Sequence, residues 1–450
     1  MSTTRPAVCI HWFRRDLRLE DNHGLFRALR EHGEVLPLFI FDTDILDRLE
    51  DKHDRRVDFI HRALAGLQDH LVKFGSTLVV EHGRPIEVWK RVLDRFDVQA
   101  VTANHDHEPY GNARDKAVGE LLVSRGIPFR TFKDISIFER GEVVKDDGGA
   151  YTVYTPYMRK WRSQFRPELA DAFPSCRHTD RFHRTEPLPM PTLERIGFAP
   201  TDLHIPPAHV SDALLRHCER PRDVPAMAGT SRMSGHLRFG TVSVRELVRW
   251  SFSTSPKYLN ELIWREFYMQ VLWHHPHAVE RAIKPGYDRI AWRKDEQELT
   301  LWAQGRTGYP LVDAGMRELN ATGLMHNRVR MVVASFLTKH LLIDWRWGEA
   351  YFPAQLLDFE LSSNNGGWQW ASGSGCDAAP YFRVFNPTLQ LQRFDPQLKY
   401  VKRWVPEVGS ANYVQPMVVH EVARQRALKA YAEALREGPR RTEAHPQLFN

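Results

Sequence analysis

In the first 135 residues short apolar runs alternate with amphipathic stretches: AVCIHWF at 7–13, VLPLFIF at 35–41, STLVVEHG at 76–83, DVQAVTAN at 97–104 and GIPFRTF at 126–132. Runs of this length separated by helical segments predict strands of a parallel sheet joined by crossovers. Residues 1–135 are therefore expected to form an α/β domain around an open parallel sheet. The first strand leads into FRRDLRLEDN and not into G-x-G-x-x-G, so a ligand here is not held by the usual pyrophosphate turn. Between 136 and 205 proline, glycine and charge accumulate (KDDGGAY, RTEPLPMP), which predicts a long connection over the surface. From 206 to 450 strand signals nearly vanish and the chain reads as all-helical.

Two helical stretches separate cleanly into faces. In YLNELIWREFYMQVLW, Leu259, Leu262, Ile263, Phe267 and Val271 make a core stripe, while Glu261, Trp264 and Tyr268 share another face. In MHNRVRMVVASFLTKHL, Val329, Val332, Val333, Phe336 and Leu337 make the stripe, and Asn327 and Met331 share a second face. Taken alone, Trp264 and Met331 read as packing residues and Glu261 as the partner of an arginine. The stretch NNGGWQWASGSGCDAAPYFRVFNP at 364–387 has neither helical nor strand periodicity. Its Gly373, Gly375 and Ala378 fit G-x-G-x-x-A, but an Asn/Gly/Trp segment stands where the fingerprint requires a strand, so the match carries no dinucleotide site.

Composition narrows the classes. A hydrophobic content of 42% and a charged content of 26% are those of a globular protein. The formal net charge is +6, with 62 Lys+Arg beside 13 Trp, 13 Tyr and 24 Phe, which suits a polyanion with flat bases as well as a basic enzyme with an aromatic core. Cys9, Cys176, Cys218 and Cys376 are far apart and form no C-x-x-C pair, which argues against a zinc site or disulfide framework and fits a reducing cytosol. The histidines of NHDHEPY and WHHPH lack further ligands at metal spacing, so no metal is expected. No run approaches the ~18 apolar residues of a membrane span. A soluble, cytoplasmic monomer is the expectation.

The segment GTSRMSGHLRFG at 229–240 crowds hydroxyls and an arginine between glycines, as a phosphate or diphosphate requires. Together with WFRRDLRLEDN, WREFY, GRTGYPLVDAGMRELNATGLMHNRVRM, LLIDWRWGEAYF and the 364–387 stretch, in this order, it resembles the photolyase/cryptochrome family, most closely the bacterial class I cyclobutane-pyrimidine-dimer photolyases. The resemblance implies a Rossmann-like N-terminal antenna domain (1–135), an interdomain connection (136–205) and a C-terminal all-helical FAD-binding domain (206–450). It implies light-driven DNA repair: an electron passes from excited, reduced anionic FAD to a flipped-out dimer, the cyclobutane bonds cleave, and the electron returns. The partner is DNA containing pyrimidine dimers, and a bacterial-type enzyme would meet it at the nucleoid.

The family's site residues carry over individually. Thr230, Ser231, Arg232, Met233 and Ser234 would bind the flavin diphosphate region. Arg330 and Asp358 match a charge pair beside the isoalloxazine, Glu360 an adjoining flavin contact, and Asn364 the residue facing flavin N5. Gly366 and Gly367 would let backbone pass where no Cβ fits. Trp368, Trp345 and Trp292 match an electron-transfer chain running to the surface. Glu261, Trp264, Asn327, Arg328, Met331, Trp370, Arg222 and Gln390 match the lesion site: tryptophan walls, arginines on flanking phosphates and polar groups at the dimer's edge, with Glu261, Asn327 and Asn364 acting in the reaction. His326 would lie about 100° around the helix from Asn327, off the pocket face.

Two positions depart from the pattern. Cys218 stands where relatives carry a tyrosine on the flavin phosphate. Tyr110 and Gly111 replace the Asn-Glu pair of folate-binding relatives, leaving the antenna open between 5,10-methenyltetrahydrofolate in another geometry, 8-hydroxy-5-deazaflavin, or none. The alternatives to a repair enzyme are a cryptochrome-type photosensor with the same fold and a light-independent FAD oxidoreductase. The retained Glu261/Trp264/Met331/Trp370 set favours repair over the first, and the lack of a nicotinamide fingerprint weighs against the second.

Overall fold

Each of the five apolar runs forms a strand in the computed structural model, which describes residues 5–217 and 221–436. They are β1 (Ala7–Phe13), β2 (Val35–Asp42), β3 (Val79–Gly83), β4 (Asp97–Asn104) and β5 (Phe129–Phe132). All pairs are parallel, in the order β3-β2-β1-β4-β5. The crossovers are α1 (His23–Glu31), α2 (Arg55–Lys73), α3 (Pro85–Arg95) and α4 (Pro109–Ser124). Strand alternation sorts the core into two layers. Phe13, Val35 and Phe39 pack with Leu25 of α1 and Leu64 of α2, whereas Ile10, Leu38 and Val101 pack with Val88 of α3 and Val118 of α4. A sheet covered on both faces needs apolar side chains on both, which is why its strands read as unbroken runs.

The connection is not a strap over the surface. Its middle forms α5 (Tyr154–Gln164), whose Tyr154, Tyr157 and Trp161 are buried. They join one cluster with Leu259, Leu262, Ile263 and Phe267 of α6 (Pro256–His274). The carboxylate of Glu266 on α6 accepts from Ile137 N (2.5 Å), Phe138 N (3.3 Å) and Trp161 Nε1 (2.6 Å), giving three buried N–H groups their acceptor. Loop-forming residues crowd the ends of the connection and hide this buried middle from a composition reading.

Beyond residue 206 every regular element among the described residues is a helix, apart from an isolated bridge between Arg293 and Ile343. The elements used below are α7 (Asn327–Ser335), α8 (Trp345–Gln355), α9 (Leu361–Ser372), α10 (Pro387–Phe394) and α11 (His420–Arg436). The core stripes expected on α6 and α7 are buried, and the second stripe continues into a π turn at Phe336–His340. Helix α9 corrects the reading of 364–387 as aperiodic. Gly366 lies so close to the Tyr268 ring of α6 that a Cβ would collide with it. Close packing of the two helices thus selects glycine against helix propensity.

The domains are clasped by buried charge. Arg15, after β1, pairs with Glu360 (2.7 Å), Asp106 (3.1 Å) and Glu108 (3.2 Å), and Arg238 pairs with Glu108 at 2.6 Å. Arg245 bridges Asp21 and Asp134 at 2.8 and 2.7 Å. Gly240 has φ 67°, and a Cβ there would strike the backbone of Arg15, so only glycine lets the two domains approach at this turn. Among the described residues no helix is long and apolar enough to cross a membrane.

Candidate functional site

Helix α9 packs on both α6 and α7, and the three helices gather most of the predicted site residues. The 230–234 segment lies at their edge. Thr230, Arg232 and Ser234 are exposed, Ser231 is half-buried, and Met233 is buried. Arg232 adopts left-handed φ 52°, and the Ser231 hydroxyl accepts from Tyr258 Oη of α6 at 3.2 Å. Exposed hydroxyls beside a cation are a donor set that suits a diphosphate. Cys218 lies outside the described residues.

The charge pair is formed. Arg330 Nη2 meets both oxygens of Asp358 at 3.0 and 2.9 Å, while its Nε donates to Met325 O at 2.9 Å. Asn364 Nδ2 donates to Glu349 Oε1 and to Glu349 O, both at 3.3 Å, leaving Asn364 Oδ1 as the acceptor it can offer. Burial pushes the Glu349 carboxyl up to about 7, against hydrogen bonds from Asn364 and Asn365. Glu349 is thus a group that holds a proton near neutral pH beside the predicted flavin-facing amide. Sequence reading missed it, although it sits within the quoted LLIDWRWGEAYF, because a lone glutamate in an amphipathic helix reads as solvated. At Gly367 nothing lies within 4 Å of a Cβ, so its side of α9 borders open space; the expectation of a tight passage holds for Gly366 and not for Gly367.

Glu360 is buried at 6% exposure and committed within the protein: Arg15 at 2.7 Å, Arg265 at 3.2 Å and the Ser363 hydroxyl at 3.1 Å. Burial alone would raise its carboxyl, but Arg265 and Arg15 outweigh that and hold it down to about 2. The structure therefore places it in the interdomain clasp, two residues from Asp358 and four from Asn364.

Trp368 and Trp345 are buried in one core cluster, and Trp292 packs on its margin half-exposed. The Arg293–Ile343 bridge sets Trp292 beside the short segment that leads into Trp345. Trp292 also meets the Tyr431 ring of α11 edge-on at 5.8 Å.

At the predicted lesion face a short turn joins the two helices. Arg222 Nη1 pairs with Glu261 Oε1 of α6 at 2.7 Å, and the adjacent Asp223 pairs with Arg328 Nη2 of α7 at 2.8 Å. Arg328 also reaches Met331 Sδ at 3.7 Å and lies over the Phe394 ring of α10, the helix that carries Gln390, at 4.4 Å. Trp264, Met331, Trp370 and Gln390 are half-buried, and Asn327 is exposed. His326 is the N-cap of α7, with its Nδ1 accepting from Arg328 N at 3.2 Å, so helix geometry does not fix its direction as expected. Burial lowers its pKa to about 4, with Asp223 opposing and Arg328 assisting.

At the carboxyl edge of the sheet Tyr110 Oη donates to Asp42 at 2.6 Å, and Arg14 and Arg114 lie over the Trp12 ring at 4.8 and 5.1 Å. A Cβ on Gly111 would collide with Asp106, itself anchored by Arg15.

A doubly wound domain clasped to a helical domain that presents hydroxyls, an Arg–Asp pair, an amide and buried tryptophans defines a two-domain flavoprotein. Its residues fit FAD: the 230–234 hydroxyls with Arg232 suit a diphosphate, and the Asn364 amide with the Arg330–Asp358 pair suits a flavin ring. Comparison with known proteins agrees. The DNA photolyase family model matches residues 9–177, and the FAD binding domain of DNA photolyase matches 258–412. Deoxyribodipyrimidine photo-lyase of Halobacterium salinarum is 36% identical, over 98% of both chains. That of Escherichia coli is 37% identical over 95% of this chain and 98% of its own. The crystal structure of a bacterial class III photolyase from Agrobacterium tumefaciens superposes with a TM-score of 0.85 at 33% identity, covering 96% of this chain and 98% of that one. The chain belongs to the DNA photolyase family.

Proposed function

We propose that this chain repairs cyclobutane pyrimidine dimers in DNA under light, as a monomer acting on DNA in the cell interior. The observation that carries the reading is the Glu261–Arg222/Asp223–Arg328 bridge, which draws the Glu261/Trp264 face of α6 and the Asn327/Met331 face of α7 together. When bound and reduced, FAD supplies the light-excited electron that opens the dimer and regains it afterwards.

The chain's own residues bind, orient and shield. A dimer has lost aromaticity and base pairing, so extruding it costs less than extruding a normal base. Trp264 and Trp370 offer apolar walls, each stacked contact worth ~1–3 kcal/mol. Arg222 and Arg328 are paired to acids in the free protein and exchange those partners for the phosphates flanking the lesion. That exchange releases Glu261 to the dimer's N3/O4 edge. Asn364 offers Oδ1 while Glu349 holds its amide nitrogen. Arg330, offset by Asp358, places a cation near the flavin without leaving a buried charge unpaired. His326 is neutral at physiological pH, so this face carries no histidine acid for the proton transfers that (6-4) photoproducts require.

The test is repair of a thymine-dimer oligonucleotide by flavin-reduced protein, wild type against Glu261→Ala. Light-dependent repair that slows at least tenfold in the variant supports the assignment. Equal rates would remove Glu261 from the site.

A further inference from the structure

We propose that Tyr154, carried by the interdomain connection, is a positioning residue for the lesion pocket: it backs the Trp264 wall and sets the face the indole presents to a pyrimidine dimer. The proposal rests on the lesion-pocket reading above and adds to it a residue from a segment without a site motif.

The Tyr154 and Trp264 rings are stacked with centroids 3.7 Å apart and planes 6° from parallel. An indole has two faces, and Tyr154 covers one of them. Phe267 meets Trp264 edge-on at 5.6 Å and Tyr268 lies tilted at 5.6 Å, so its margins are also held. Trp264 nevertheless stays half-buried, and its exposed part is the side left for a ligand.

Tyr154 is itself fixed at both ends, which separates it from a core ring that merely fills space. Its hydroxyl donates to the carbonyl of Asn260 at 2.9 Å, one helical turn before Trp264 on α6. Its backbone N–H donates to Asp377 Oδ1 at 3.2 Å, and Asp377 N returns a bond to Thr152 O at 2.8 Å. Asp377 adopts φ 49°, a conformation that such reciprocal bonds must support in a residue other than glycine. Asp377 follows α9, the helix that carries Trp370. One three-residue piece of the connection, 152–154, therefore braces the Trp264 wall on α6 and the exit of the helix bearing the other wall. Without this brace the indole would regain rotamers that binding must then freeze out, a cost that falls on lesion affinity and not on phosphate contacts.

A double-mutant cycle on flavin-loaded protein tests the proposal, using binding to a thymine-dimer oligonucleotide, binding to the undamaged strand, and light-driven flavin reduction. Tyr154→Ala is expected to weaken dimer binding by about 3- to 10-fold, leaving undamaged-strand binding and flavin photoreduction in place. Tyr154→Phe keeps the stack and recovers most of the loss. In a Trp264→Ala background Tyr154→Ala should add less than twofold, because its effect passes through the indole. If Tyr154→Ala does not retain flavin, Tyr154→Leu, which keeps an apolar side chain in the cluster, takes its place with the same expected values. Full dimer affinity in the Ala or Leu variant, equal loss on damaged and undamaged strands, or independent losses in the double variant would overturn the positioning role. Unchanged dimer affinity in Trp264→Ala alone would instead overturn the lesion-pocket reading on which it rests.

Discussion

Replacing Glu360 by glutamine removes one negative charge from the centre of the interdomain clasp while keeping its size. Arg265 then loses its ion-pair partner, since its other bonds go to the carbonyls of Ile135 and Leu237, whereas Arg15 keeps Asp106 and Glu108. The fall of the Glu360 carboxyl from its ordinary value of 4.5 to about 2 corresponds to about 3 kcal/mol. That agrees with the ~3–5 kcal/mol of breaking a buried pair from one side. Because the folded value is depressed, this stability is complete above pH ~4.5 and is lost as pH falls through about 2. In urea unfolding at neutral pH, Glu360→Gln should therefore lower stability by about 3 kcal/mol, and flavin should be released at a lower urea concentration. Repeated at about pH 3, the difference should shrink by more than half, because the wild type is losing what the variant never had. A difference below ~0.5 kcal/mol at neutral pH, or one that does not change with acid, would refute the clasp as a source of stability.

Trp292→Phe should abolish light-driven reduction of oxidised flavin yet leave repair intact once the flavin is chemically reduced, because this half-exposed residue ends the tryptophan series and does not touch the lesion; wild-type photoreduction would break the chain assignment. Arg222→Ala should make the log–log salt dependence of duplex binding shallower by about one unit without changing lesion preference, and an unchanged slope would take Arg222 off the phosphate contacts. Gly366→Ala should destabilise the protein by ~1–3 kcal/mol, since its methyl group meets the Tyr268 ring, whereas Gly367→Ala should not; equal melting shifts would contradict the helix contact.

Parts of this architecture are legible in the chain because they are local. A strand buried on both faces reads as a short apolar run bounded by turn residues, so β1 is found with its observed bounds, and the alternation of DVQAVTAN gives β4 with its own. The stripes of α6 and α7 follow from helix period alone. Helix α9 is hidden because the contact that selects Gly366 comes from Tyr268, about a hundred residues earlier. The clasp is hidden for the same reason: nothing near Arg15, Arg265 or Glu360 in sequence says that they meet. The brace by Tyr154 lies in a segment whose composition signals loops. Counting degrees around α7 does not fix the direction of His326, because the helix begins only after it.

On the proposed reading, the α6 and α7 faces bridged by Arg222 and Asp223 form a pocket for cyclobutane dimers opened by light. Chromatography of oligonucleotides carrying a cyclobutane thymine dimer or a (6-4) photoproduct, incubated with flavin-reduced protein in light and in darkness, tests it most directly. Recovery of thymines from the cyclobutane dimer in light alone, with the (6-4) product unchanged, is the expected result; an intact cyclobutane dimer after illumination, or turnover of the (6-4) lesion, would overturn the pocket.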